Sequence, residues 1–291
     1  MIEAFILRGI SDVPEVQVLI FLLVLIIYLL CLGGNLIILL LFCLDVHLHT
    51  PMYFFLSNLS VIDISSSTTT LHRIFIFTTH KHKISTSACM TQLCIFCALT
   101  SNEISVLAAM SYDRYVAICR ALYYHSIMSR RLCGLLASVS WGFGITEMLP
   151  ISVFISKFTC YLFPIREITC SDTTLFDLYI LIFGNMTVFV LILLTITPYV
   201  FIISSILRIR SSAGRRKAFY TCSSHIMVVV IFYSSIVLQY IVTISGSNTG
   251  SNKIFSLLNT AVVPMMNPLI YSLKNNDVKS APNRKLKLCR S

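Results

Sequence analysis

The sequence predicts an all-α membrane protein, a bundle of seven transmembrane helices followed by a short amphipathic C-terminal segment. Of the 291 residues, 56% are hydrophobic and only 12% are charged, about half of the roughly 25% charged residues of a soluble domain. Seven long runs each contain at most one charged residue, and each is long enough for the roughly 20 residues that cross a bilayer. Because the hydrocarbon offers no water to the backbone, every run must be helical.

The seven runs follow one another with short connections, as a single domain over residues 1–291. Four runs contain no Asp, Glu, Lys or Arg, namely 16–44, 178–207, 218–252 and 254–273. The other three contain one acid each, Asp63 in 46–72, Glu103 in 84–112 and Glu147 in 132–156. We place the helices at about 17–43, 51–77, 86–120, 132–154, 179–208, 216–243 and 252–273.

Prolines and basic residues add detail to this outline. Pro51 suits the first turn of the second helix, where its missing N–H costs nothing. Pro198 and Pro268 fall inside the fifth and seventh helices and are expected to kink them. The basic segment Lys274–Leu288 is expected to lie along the inner leaflet as the amphipathic end of the chain.

The placement of basic residues predicts the orientation, because Lys and Arg concentrate in cytoplasmic segments. With the N-terminus outside, most of the 22 Lys and Arg residues fall in inner segments. The outer segments hold Arg8, Lys81, Lys83, Lys157, Arg166 and Lys253. We therefore expect a multi-pass protein of the plasma membrane with an extracellular N-terminus and a cytoplasmic C-terminus. The net charge of +10 then reflects topology and anionic lipid, and needs no nucleic-acid partner.

Four motifs in the right helices carry a resemblance to a known family. Met110–Cys119 reads MSYDRYVAIC, and Leu48–Ser60 reads LHTPMYFFLSNLS. Lys217–His225 reads KAFYTCSSH, Pro264–Asn275 reads PMMNPLIYSLKN, and the first helix contains Gly34-Asn35. In these segments, which run in order through nearly the whole chain, the sequence resembles the odorant (olfactory) receptors, a branch of the rhodopsin-like G-protein-coupled receptors.

The resemblance implies a receptor that binds a small-molecule odorant and activates a heterotrimeric G protein of the stimulatory, olfactory class. It assigns G-protein coupling to Asp113, Arg114 and Tyr115, with Arg114 held by Asp113 at rest and released when the sixth helix moves outward. From the residues alone, this motif shows a charge pair near the membrane surface, where an arginine can also serve as an interfacial anchor.

Two intramembrane acids are the next candidates, because charged groups in a bilayer are costly and as a rule functional. Asp63 lies about 18 Å into the second helix, and Glu103 lies about 24 Å above the inner end of the third. With Asn267 on the seventh helix, they are expected to meet in the centre of the bundle. The resemblance implies a sodium site at Asp63, Glu103 and Asn267. Two protonated acids bonded across the helices are the alternative.

The ligand pocket is expected in the outer half of the bundle. Spacing places several candidates on common helix faces, and the set is Phe96, Cys97, Thr100, Ser101, Tyr233, Tyr240 and Thr260. Such a mostly apolar cavity with a few hydroxyls suits a small uncharged ligand. The third helix offers no outer aspartate as the counter-ion of an amine. Glu147, in the fourth helix, has no assigned partner.

An outer disulfide follows from the resemblance, which pairs Cys89 with Cys160. Cys89–Cys170 is the competing connectivity, and sequence alone does not decide between them. The family pattern has a further loop cysteine where this chain has Pro150, and the second outer loop is shorter than that pattern. A receptor-like product with impaired folding or signalling is therefore one alternative function.

Other classes fit less well. A rhodopsin-like receptor for a non-odorant ligand is a second alternative, although peptide and amine receptors usually have an acidic anchor or longer outer segments. A transporter would show repeated halves and broken helices, which are absent from the sequence. The chain has no phosphate-binding loop, metal-binding cluster or nucleophile–base set, so we predict a protein that is not an enzyme.

Overall fold

The computed structural model describes residues 4–6, 14–78, 83–157, 182, 185–244 and 262–274. Within them the chain forms long helices that we number by the predicted spans. They are α1 (Pro14–Leu44), α2 (Pro51–Thr78), α3 (Thr86–Cys119), α4 (Arg130–Lys157), α5 (Asn185–Leu207), α6 (Ser212–Ile244) and α7 (Val263–Lys274). Most of the residues predicted to be helical before Asn185 and before Val263 lie outside the described residues. The C-terminal segment after Lys274 lies outside them entirely.

Local capping explains where several helices begin. The Ser129 hydroxyl accepts a hydrogen bond from the backbone N–H of Leu132, so α4 begins at Arg130, earlier than predicted. Ser211 caps α6 in the same way through the N–H of Gly214. A serine in this position satisfies one of the free N–H groups of a first turn. α1 begins at Pro14, which suits a first turn for the reason given above for Pro51.

Four helices of the described residues are long and apolar enough to cross a membrane, and a bent α6 makes a fifth. The four are Glu15–Leu44, Cys94–Cys119, Arg130–Leu149 and Met186–Leu207. Large apolar side chains point outward along them, among them Leu19, Leu23, Leu135, Val139, Leu193 and Phe201. These surfaces suit lipid rather than water, in agreement with a multi-pass membrane protein. α2 is long enough at 28 residues, but its serine- and threonine-rich stretch lowers its hydropathy.

The centre of the bundle is α3, which packs against α2, α4 and α5. α1 packs on α2 and α7, and α7 also contacts α6. The main hydrophobic core lies on α2 and α3 and includes Phe55, Leu56, Leu59, Ile62, Val106, Leu107 and Met110. The polar residues of α2 are turned into this bundle, since Asp63, Ser66 and Ser67 are all buried.

Two small elements were not predicted. Residues Ala4–Ile6 and Lys83–Ser85 form a two-stranded antiparallel sheet that joins the N-terminal segment to the connection between α2 and α3. A four-residue inner-loop helix, Tyr124–Ile127, follows α3. Strands of three residues are too short to show an alternating pattern in the sequence.

The contact between α3 and α4 depends on the absence of a side chain at Gly144. A Cβ atom there would overlap the Asn102 side chain and approach the Ala98 carbonyl oxygen to 2.5 Å. At Gly142, half a turn away, a Cβ would meet nothing within 4 Å. Gly144 therefore sets the distance between these two helices.

We expect Gly144→Ala to lower thermal stability, because overpacking a well-filled contact costs roughly 1–3 kcal/mol. Gly142→Ala is the matched control and should be neutral or slightly stabilising, since alanine is the better helix former. Thermal unfolding of the two variants in detergent measures the difference. Equal melting temperatures would contradict the close packing of α3 on α4.

Candidate functional site

The inner end of α3 carries an ion pair between neighbouring residues. Arg114 donates to Asp113 Oδ2 from Nε at 3.1 Å and from Nη2 at 2.5 Å. Asp113 is fully buried, and Arg114 is 8% exposed. Both partners are therefore shielded from water. Charge-assisted hydrogen bonds are strong, and they are stronger inside a protein than in water. The predicted charge pair is present as a closed contact.

A tyrosine from the inner-loop helix completes this cluster. The Tyr124 hydroxyl donates to the other carboxylate oxygen, Asp113 Oδ1, at 2.8 Å. Burial raises the pKa of Tyr124 above its ordinary value, and the Asp113 carboxylate raises it further. The hydroxyl therefore keeps its proton and remains a donor. Sequence reasoning missed Tyr124, because only the fold of the loop after α3 brings it back beneath that helix.

Two apolar side chains next to Tyr124 are exposed on the same inner loop. Leu122 is 96% exposed and Tyr123 is 62% exposed. They lie on a short 3-10 turn, Ala121–Tyr123, directly before the inner-loop helix. Exposed apolar groups beside a buried ion pair form a surface that suits a protein partner.

Aromatic contacts connect this end of α3 to α5 and α6. Tyr115 packs edge-on against Phe201 of α5, with ring centroids 5.9 Å apart. On the neighbouring face, the Tyr199 hydroxyl bonds Nδ1 of the buried His225 on α6. His225 lies within electrostatic range of Arg114, and its Nε2 atom has no hydrogen-bond partner. A movement of α6 would therefore change the surroundings of Arg114.

The predicted meeting of Asp63 with Asn267 is present in the middle of the bundle. Asn267 Nδ2 donates to Asp63 Oδ1 at 3.2 Å and to Oδ2 at 3.0 Å. Glu103 lies close enough to Asp63 to act on it electrostatically. All three residues are buried, and Glu103 Oε1 has no hydrogen-bond partner. The arrangement leaves Glu103 Oε1 available for a proton or a cation.

α1 adds a further polar layer that the sequence reasoning did not include. Asn35 donates to the Cys31 carbonyl at 3.0 Å and to the Pro264 carbonyl of α7 at 3.4 Å. The Cys31 thiol in turn lies 3.6 Å from the Ser67 hydroxyl of α2. The Gly34-Asn35 pair of the sequence motif marked this region. Gly34 lets α7 approach, since a Cβ there would lie 2.9 Å from Pro268.

The described pocket candidates lie on α3 and α6. Phe96, Cys97, Thr100 and Ser101 are all half-buried on α3. The Tyr233 hydroxyl of α6 lies 3.0 Å from Thr195 Oγ1 of α5. Through this contact Thr195 becomes a further pocket candidate, which the sequence reasoning missed. Thr260 and the side chain of Tyr240 lie outside the described residues.

The cysteines of the predicted outer disulfide also lie outside the described residues. This holds for Cys160, Cys170 and the side chain of Cys89. Among the described residues, the free cysteines are Cys31, Cys43, Cys94, Cys97, Cys119, Cys133 and Cys222. No group of three His, Cys, Asp or Glu side chains in the described part could hold a metal ion. Of the three residues predicted for the sodium site, Asp63 and Glu103 therefore offer carboxylates to a cation, and Asn267 donates from Nδ2 to Asp63.

Comparison with known proteins gives matches over almost the whole chain. Residues 24–288 match the family described as "Olfactory receptor". The chain is 43% identical over 295 residues to "Olfactory receptor 8G50" of Mus musculus, covering 97% of this chain and 95% of that protein. It is 41% identical over 293 residues to "Olfactory receptor 6C3" of Homo sapiens, with 97% and 94% covered. "Olfactory receptor 2AP1" of Homo sapiens is also 41% identical, over 96% of this chain and 94% of that protein.

Proposed function

Because the chain belongs to the olfactory receptor family, we propose that it binds a small odorant in the outer half of the bundle and activates a stimulatory heterotrimeric G protein. The family consists of G-protein-coupled receptors and not of enzymes. The observation that carries the coupling proposal is the buried cluster of Asp113, Arg114 and Tyr124 at the inner end of α3. This cluster holds a charged arginine next to the exposed apolar surface of Leu122 and Tyr123.

The contacts of α6 support a route from ligand to G protein. Tyr233, one of the pocket candidates, is bonded to Thr195 of α5. About two turns further inward on α6, His225 is bonded to Tyr199 of α5. A ligand that displaces Tyr233 would move α6 against α5 and loosen the inner contact as well. Arg114 would then leave Asp113 and become available to the G protein.

The central acids fit a bound sodium ion. Asp63 and Glu103 would hold it, with Asn267 orienting Asp63 through two hydrogen bonds. The free Glu103 Oε1 atom is the observation that favours an additional ligand there. When bound, the ion supplies the positive charge that lets both carboxylates remain ionised. A proton shared between the acids serves the same purpose and is the alternative.

We place the receptor in the plasma membrane, with the N-terminus outside and Arg215–Lys217 in the cytosol. The basic residues of the described chain support this orientation, because Arg120, Arg130, Arg131, Arg208 and Arg210 cluster at one end of the helices. That face also carries the Arg114 cluster. Anionic lipid and the G protein would both meet it there.

The experiment that tests this function is a panel of small volatile ligands on cells that express the receptor and a stimulatory G protein. We expect at least one ligand to raise cyclic AMP in a dose-dependent way, because α3 carries half-buried pocket candidates at its outer part and the Arg114 cluster at its inner end. Epitope tags at the N-terminus and next to Lys217 report delivery and orientation. The first should stain on intact cells and the second only after permeabilisation.

Two results would contradict the proposal. Staining of the inner tag on intact cells would reverse the orientation. A receptor that reaches the surface in the predicted orientation and stays silent to the panel, even at high ligand concentration, would favour the alternative of a product with impaired signalling. Absence from the surface would favour impaired folding.

A further inference from the structure

The third intramembrane acid, Glu147, has no role in the function proposed above. It lies on α4 and is partly exposed, whereas Asp63 and Glu103 are buried. Acids within membrane spans as a rule face the interior of the bundle or a cavity, since lipid cannot solvate them. Glu147 is therefore expected to face the bundle or a cavity, and its neighbours indicate which.

The side of α4 that carries Glu147 faces α3. A buried stripe with helical spacing runs along α4 through Cys133, Ala137, Ser140 and Gly144. Glu147 is the next position of this stripe, about one turn outward from Gly144. Since Gly144 lies directly against α3, Glu147 projects toward the outer part of α3, where the pocket candidates lie.

Two side chains from other helices locate the carboxylate. Cys97 of α3 lies within electrostatic range of Glu147. Thr187 of α5 donates from Oγ1 to Glu147 Oε1 at 3.4 Å. The acid therefore lies where α3, α4 and α5 come together, one turn outward from the contact of Gly144 with Ala98 and Asn102. This is the part of α3 that carries the pocket candidate Cys97.

This carboxylate has unused capacity to accept hydrogen bonds. At 3.4 Å the bond from Thr187 is longer than the roughly 2.5–3.0 Å of a normal O–H···O bond. An ionised carboxylate offers about four acceptor positions. Among the described residues, the salt bridge is that between Arg114 and Asp113, and none of the Lys or Arg side chains there pairs with Glu147. The ammonium group of a bound ligand could use these free acceptor positions.

We propose that Glu147 anchors the cationic group of a ligand, so that the ligands of this receptor include small protonated amines with an apolar body. This inference rests on the proposed function and makes its ligand class specific. The ammonium group would donate to Glu147 in a charge-assisted hydrogen bond. The apolar body would lie along Phe96, on the same face of α3 as Cys97. The counter-ion that α3 lacks is thus supplied by α4.

A comparison of matched ligands tests the anchor in signalling. Octylamine and 1-octanol have the same apolar chain and differ in charge. We expect Glu147→Gln to raise the octylamine concentration needed for half-maximal cyclic AMP by about tenfold or more, which corresponds to ~1.4 kcal/mol. The half-maximal concentration of 1-octanol should shift much less, because its neutral hydroxyl can bond to the amide oxygen of Gln almost as well as to the carboxylate of Glu. Glu147→Asp is the conservative control and should retain most of the preference for the amine.

A chemical measurement tests the same site without the G protein. Cys97 is partly exposed, so it can be labelled in membranes with cationic 2-aminoethyl methanethiosulfonate or with neutral methyl methanethiosulfonate. Mass spectrometry reports labelling of Cys97, and Cys97→Ser gives the background. We expect Glu147→Gln to lower the ratio of cationic to neutral labelling several-fold, and octylamine to protect Cys97 better than 1-octanol does in the parent.

The two readouts separate the inference from the function on which it rests. If no ligand raises cyclic AMP but Glu147 still controls the labelling ratio, the signalling proposal fails and the cationic site stands. An unchanged labelling ratio in Glu147→Gln would overturn the cationic site even in a receptor that signals. Equal loss of the octylamine and 1-octanol responses would overturn it too, since the acid would then act on packing alone.

Discussion

Replacement of Arg114 by alanine is expected to abolish the rise in cyclic AMP that a ligand produces. Arg114 is the positively charged residue of the inner cluster, bonded twice to Asp113 and 8% exposed. Without it, an outward movement of α6 would expose no positive charge to the G protein. We expect similar surface delivery if the bond from Tyr124 is enough to hold the buried Asp113 carboxylate after its cation is removed. Cyclic AMP and surface staining, measured in the same cells, separate these two effects.

The matched control for this variant is Arg120→Ala. Arg120 follows the same helix and is exposed, so its loss removes an equal charge from the inner face without touching the cluster. We expect normal ligand-driven cyclic AMP from it. Full signalling by Arg114→Ala would refute the coupling role of Arg114. An equal loss of signalling in both variants would show a general effect of inner-face charge instead.

The fold could be predicted because the membrane imposes strong constraints on the sequence. Long charge-free runs such as 16–44 have one structural solution in hydrocarbon, and family motifs fixed their order. Element boundaries were less certain, because they depend on local caps such as Ser129 and Ser211. The small sheet of Ala4–Ile6 with Lys83–Ser85 could not be predicted, since it forms by pairing distant segments of three residues.

The sites divide in the same way. Asp63, Asn267 and the Asp113–Arg114 pair were recognisable, because a charged or amide group in a membrane span stands out against its apolar neighbours. Thr195 and Tyr124 were not recognisable, because serine, threonine and tyrosine are common in these helices. Only the packing of α5 on α6, and of the inner loop under α3, gives those hydroxyls their partners. The position of Glu147 likewise needed the close contact at Gly144.

The strongest effect on stability is expected from the central acids Asp63 and Glu103. If they share a cation or a proton, each single change removes the shared interaction, and the second change then has little left to remove. We therefore expect the destabilisation of the double variant Asp63→Asn with Glu103→Gln to be smaller than the sum of the two single effects. Coupling of this kind between neighbouring groups is typically about 0.5–3 kcal/mol.

Thermal unfolding of purified receptor, with sodium and with a larger organic cation in its place, measures this coupling. The matched control combines Asp63→Asn with Glu147→Gln, which removes an intramembrane acid of α4 that lies outside the central cluster. Its two effects should add, because the electrostatic neighbour of Asp63 is Glu103.

Sodium should stabilise the parent and not the double variant, since a ligand that binds only the folded state raises its stability. Coupling without sodium dependence would favour the shared proton over the ion. Strict additivity of Asp63→Asn and Glu103→Gln would exclude both and leave two independent buried acids.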